Sequence, residues 1–154
     1  MDAKTLAIVV ACILACGLLI LALLSLTAKR PATLGVTNGR LAPCPNSPNC
    51  VCTRAADEAH RIEPLTYTGS AEQAMTHLDA VLSARPRVRI VTRTDVYLYA
   101  EVASLLFRFV DDVEFLFDDE AKVIHFRSAA RAGHSDFGVN RRRMEEIRQA
   151  FIAS

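Results

Sequence analysis

The chain has 154 residues, of which 18 are lysine or arginine and 17 aspartate or glutamate, for a formal charge of +1. That balance argues against a nucleic-acid partner, because such binders carry a basic excess gathered on one face. With an apolar N-terminal stretch set aside, the length fits one domain, which can bury roughly two-thirds of its unfolded surface and build a core without help.

The first element is that apolar stretch, Leu6 to Leu26, LAIVVACILACGLLILALLSL, which holds no charge and no proline. At 1.5 Å per residue it reaches roughly 31 Å, the thickness of a hydrocarbon core. The expectation is an uncleaved transmembrane anchor over residues 1–28, touching lipid through Leu6 to Leu26. A cleavable signal peptide has a shorter apolar core and a small-residue cleavage site. Ile13-Leu14-Ala15-Cys16 faintly resembles a bacterial lipobox, but lipidation at Cys16 would leave GLLILALLSL where a polar linker belongs. Lys29, Arg30 and Arg40 follow the stretch and only Lys4 and the α-amino group precede it, so flanking charge points the domain inward.

Residues 29–40, KRPATLGVTNGR, read as a linker, and residues 41–154 as one folded domain. Cys44, Cys50 and Cys52 lie in RLAPCPNSPNCVCT, whose three prolines predict an ordered loop rather than a strand or helix. Three roles compete for them. A disulfide from Cys44 to Cys50 or Cys52 would pin the start of the domain and points to an oxidising compartment. A metal site lacks the usual cysteine spacing. A catalytic thiol would need a base such as His60.

RIEPLTY (61–67) predicts a first strand. Ser70-Ala71-Glu72-Gln73 is a capping box, and Ala74, Met75, Leu78, Val81 and Leu82 follow at helical spacing up to Arg85, ahead of Pro86. After Pro86 the period changes to two. Val88, Ile90 and Thr92 share one face, then Val96, Leu98, Ala100 and Val102 alternate with Tyr97, Tyr99 and Glu101. Phe115 and Phe117 alternate with Glu114 and Leu116, and Ile124 and Phe126 with His125 and Arg127. Such segments predict antiparallel strands with one face buried and one solvated. A final helix starts near Val139, with Met144, Ile147 and Phe151 as its apolar stripe. The predicted class is α+β: an antiparallel sheet of four to five strands with two helices on one face.

Four segments in this order, LAPCPNSPNCVCT, HRIEPLTY, FRFVDDVEF and RSAARAGHSDFGVNRRRMEEIR, together resemble the uncharacterised family known as domain of unknown function 1499, from about Leu41 to Phe151. The resemblance implies no activity. Because members often bear signal peptides or anchors, it implies an extracytoplasmic domain. Two departures stand out: Cys52 where relatives usually have Ser or Gln, and Ala130 within an otherwise serine-rich RSASR segment.

The candidate site is the stretch from Arg127 to Arg143. Arg127, Ser128, Arg131, His134, Asp136 and Asn140 combine guanidinium groups, small residues and a helix start, which suit an anion such as phosphate or carboxylate. The competing structural role pairs Arg127 and Arg131 with Asp111, Asp112, Glu114 or Asp136. Asp112 and Glu114 share a strand face and, with His125 on a neighbouring strand, suggest a metal only weakly. No nucleophile elbow, phosphate loop, dinucleotide fingerprint or zinc-protease helix occurs, and no cofactor is expected. The leading expectation is therefore a non-catalytic binding or accessory domain at the cell envelope, with a protein partner there and an unspecified small ligand. The alternative is a hydrolase using His134, Asp136 and the flanking arginines.

Overall fold

A computed structural model describes residues 1–153. The apolar stretch forms α1 (Ala3–Thr27), begun by Asp2, whose Oδ1 accepts a hydrogen bond from the Thr5 amide at 2.7 Å. None of its residues is buried, so its aliphatic side chains face outward all round. This helix is long and apolar enough to cross a membrane or to serve as a signal sequence.

The remaining elements are β1 (Cys50–Cys52), β2 (Leu65–Thr66), α2 (Ala71–Ser83), β3 (Val88–Arg93), β4 (Tyr97–Ala103), β5 (Val110–Asp118), β6 (Val123–Ala130) and α3 (Val139–Ala153). The fold is α+β, with six antiparallel strands in the order β1-β6-β5-β4-β3, and β2 also paired with β6. Cys50–Cys52 lie opposite Ala129 to Arg127, and Leu65–Thr66 opposite Ile124 and Val123, so β1 and β2 share one edge of β6 end to end. Both helices pack on one face. Met75, Leu78 and Leu82 from α2 and Met144, Ile147 and Phe151 from α3 meet Leu98, Ala100, Val113, Phe115, Ile124 and Phe126 of the sheet. The predicted capping box starts α2, with Ser70 and Gln73 satisfying each other's amides.

Four sequence expectations change. The cysteine segment ends in a strand, because Pro48 precedes Cys50 and no proline interrupts Cys-Val-Cys. The predicted strand at 61–67 shrinks to Leu65–Thr66, since Pro64 has no amide to give a ladder. The Glu63 and Pro64 carbonyls instead accept from Arg148 of α3. In β3 a bulge shifts the register between Ile90 and Thr92. Val88 and Ile90 keep the helix face, but Thr92 pairs with Tyr99, and Arg93 turns to the helix side to reach Asp79 at 2.8 Å.

The fourth change concerns the second face of the sheet. Tyr97, Tyr99, Glu101, Asp112, Glu114 and Arg127, expected to be solvated, are buried. Residues 30–35 lie over them: Arg30 donates to Glu101 at 2.7 Å and the Gly35 amide to Glu114 at 2.7 Å. The segment read as a linker is bonded to the sheet.

Candidate functional site

The six residues expected to form one site divide between the two faces of the sheet. β6 alternates, so Arg127 faces the side covered by residues 30–35, while Ser128 pairs with Val113 and faces the helices. Ser128 Oγ is hydrogen-bonded to Asn140 of α3, and Asn140 Nδ2 donates to the Asn49 carbonyl at 3.2 Å. Arg131 leaves the strand on the opposite side. Asp136 fills the position an anion would need at the start of α3, since its carboxylate accepts from the Gly138 amide at 3.0 Å and the Asn140 amide at 2.7 Å. His134 is exposed and bonds to none of these side chains. The expected convergence on an anion is absent because local capping and cross-strand pairing use the same groups.

On the covered face the arginines meet carboxylates. Arg131 Nε donates to Asp112 Oδ2 at 3.0 Å, and its Nη2 reaches Asp112 Oδ1 at 2.6 Å and Glu101 Oε1 at 2.5 Å. Glu101 also accepts from Arg89 at 2.5 Å and from Arg30. The Tyr99 hydroxyl donates to Asp112 at 2.6 Å and the Tyr97 hydroxyl to Glu114 at 2.8 Å. Arg127 lies 3.4 Å from Glu114, which is fully buried. Burial opposes ionisation of Glu101, yet the guanidinium groups of Arg89, Arg131 and Arg30 outweigh it and hold the carboxyl well below the usual carboxylate range. Burial, then the neighbouring carboxylates, pushes the Tyr97 and Tyr99 phenols up. Carboxylates and guanidiniums pair across this face, except that the buried Arg127 Nε has no hydrogen-bond partner among the described residues. Of this clamp, Glu101, Arg89, Arg30 and both tyrosines escaped the sequence reading. The visible signal was Tyr97-x-Tyr99-x-Glu101 on one strand face, which would set a third carboxylate beside Asp112 and Glu114.

The cysteine segment is tied to the same region. Cys44 and Cys50 are joined by a disulfide with Cα atoms 5.7 Å apart, leaving Cys12, Cys16 and Cys52 as free thiols. Cys52 is 4% exposed, and burial pushes its thiol up, which disfavours the thiolate a nucleophile requires. His60 is no base for it: Nε2 bonds the Ser47 carbonyl at 3.1 Å and Nδ1 bonds Asp57 at 2.6 Å. Among the described residues no group of three or more His, Cys, Asp or Glu can hold a metal. His125, considered with Asp112 and Glu114, is instead bonded to Thr53 at 3.1 Å. Asn49, not singled out from sequence, joins the cysteine segment to the loop after β6 by donating to the Gly133 carbonyl at 2.6 Å. For a loop this short, reducing the disulfide is expected to lower the unfolding free energy by about 2 kcal/mol. Denaturant unfolding with and without reductant measures it.

A cleft of about 600 Å³ opens where β3, β4 and the start of α3 meet, lined by Arg85, Arg87, Ser104, Asp111, Arg142 and Arg143 among others. Arg143 is paired with Asp111 and Arg85 with Glu146. Arg87 Nε donates only to the Ala103 carbonyl at 3.2 Å and Arg142 Nη1 only to the Phe137 carbonyl at 2.9 Å. Two guanidinium groups thus border this cleft without a carboxylate partner among the described residues. Burial pushes the Asp111 carboxyl up despite Arg143.

A family model described as "Protein of unknown function (DUF1499)" matches residues 40–151. No curated protein and no solved structure matches the chain.

Proposed function

Since the chain belongs to that family, whose description names no activity, we propose from its own residues that it is a membrane-anchored, non-catalytic domain serving as a binding or accessory part of an assembly at the cell envelope. One observation carries this reading: the apolar helix runs directly into the segment fastened to the sheet. Thr27 ends α1, and Arg30, three residues on, is already bonded to Glu101. An unburied apolar helix needs lipid around it, and this attachment keeps the domain at the bilayer surface. The Cys44–Cys50 bridge supports an oxidising, extracytoplasmic side. The pairing of Arg131 and Arg30 with Glu101 and Asp112 supports a fastening role for these groups.

The test uses the full chain expressed in cells. The protein is expected to stay in the membrane pellet after alkaline carbonate washing and to keep the mass of the uncleaved chain. Deleting residues 3–27 is expected to release it. After reduction of intact cells, an impermeant thiol reagent is expected to label Cys44 and Cys50. A mature mass lacking the helix would overturn the anchor, and protection of both cysteines would overturn the side.

A further inference from the structure

We propose that the sheet end carrying the β4–β5 loop is a bilayer-docking surface, with Leu105 and Leu106 entering the acyl boundary and Arg87, Arg108 and Arg142 meeting the phosphates of anionic lipids. The inference rests on the anchoring reading above and adds a second, independent membrane contact to it.

The loop is built to present its tip. The Ser104 amide donates to the Phe109 carbonyl at 2.7 Å, and the Phe109 amide donates to Ser104 Oγ at 3.0 Å, closing residues 104–109. Phe107 and Phe109 pack edge to face, with centroids 6.1 Å apart. That leaves Leu105 77% and Leu106 78% exposed. Phe137 is 88% exposed in the loop after β6, which lies at the same sheet end because the Arg131 amide bonds the Val110 carbonyl. Adjacent exposed leucines beside arginines lacking carboxylate partners match the pattern of an interfacial membrane contact: apolar insertion with basic residues at headgroup level.

Position selects the occupant. Arg30 fixes the exit of α1 to Glu101, only three strand residues before Ser104, a rise of roughly 10 Å. The loop is therefore delivered to the surface that receives the helix. At the far end of the sheet the turns carry Asp95, Asp118, Asp119 and Glu120, with Lys122 paired to Asp119 and Arg54 to Asp118, so the arginines without carboxylate partners lie at the loop end and favour an anionic surface there.

The chain contains no tryptophan, so a single introduced one reports on its own surroundings. Full-length Leu106→Trp, Leu14→Trp and Glu120→Trp are reconstituted in vesicles of equal parts phosphatidylcholine and phosphatidylglycerol, with acyl chains brominated or not. Bromination is expected to reduce emission at positions 14 and 106 by about half or more and to leave position 120 unchanged. Adding Arg87→Glu and Arg142→Glu to Leu106→Trp is expected to restore most of the emission in these vesicles and to change little in pure phosphatidylcholine. Quenching at 14 without quenching at 106 overturns the docking surface while the anchor stands; absence of both overturns the anchor and the inference with it. If the emission at 106 shifts only with rising protein density, a second copy of the chain covers the loop, and the proposal fails.

Discussion

Arg131→Met is expected to lower the unfolding free energy of the domain by about 3–5 kcal/mol, to be measured by denaturant titration of the full chain in detergent. Among the described residues Arg131 is the only guanidinium paired with both Asp112 and Glu101. Asp112 is 1% exposed, and among its side-chain partners Tyr99 supplies a hydroxyl but no positive charge. Removing Arg131 strands a buried carboxylate, and the cost is chiefly that of an unpaired charge rather than of lost attraction. In Arg131→Met with Asp112→Asn the stranded charge is gone, so the pair should be clearly more stable than the two single losses added together. Additive losses would mean that Arg131 acts by packing alone.

Glu101→Gln is expected to cost about 3 kcal/mol at neutral pH and to flatten the acid limb of the stability profile. The Glu101 carboxyl sits below its ordinary value when folded. Its contribution is therefore fully present above the unfolded value of about 4.3 and is lost as pH falls through the folded value. Asp111 runs the other way: burial raises its carboxyl, so acid relieves it before Glu101 begins to protonate. The wild-type chain should hold its stability down to about pH 4 and lose it below, whereas the variant starts lower and declines less. Arg89 and Arg30 expose 69% and 48% of their side chains, so solvent screens them and Arg131, at 9%, carries most of the effect. Urea titrations across that range decide it; parallel acid limbs for the two proteins would rule Glu101 out as the group concerned.

Some of this architecture was legible in the sequence. Helical spacing behind the Ser70–Gln73 box located α2, and alternation located β4, β5 and β6, because burial against two helices demands those periods. The bulge in β3 was not legible, since Val88 to Arg93 alternates acceptably in either register. Nor was the covered second face. Residues 29–40 read as a linker, and Tyr97, Tyr99, Glu101, Asp112 and Glu114 read as a wet strand face; only the bonds of Arg30 to Glu101 and of Gly35 to Glu114 reverse both readings. Pairing of Arg127 with Glu114 and of Arg131 with Asp112 was among the alternatives the sequence allowed. Choosing between pairing and an anion site required knowing that Ser128 and Asn140 lie on the other side of the sheet.

The fastening of residues 30–35 has a consequence for binding strength. Two leucines and a few arginines on a free domain would partition weakly and reversibly onto a bilayer. If the helix is the proposed anchor, a tether without slack would make the same contact intramolecular, so the loop would meet the lipid surface at an effective concentration far above any that solution supplies. Lengthening the chain between Thr27 and Arg30 with flexible residues would dilute that advantage and loosen the domain's orientation while leaving the helix in place.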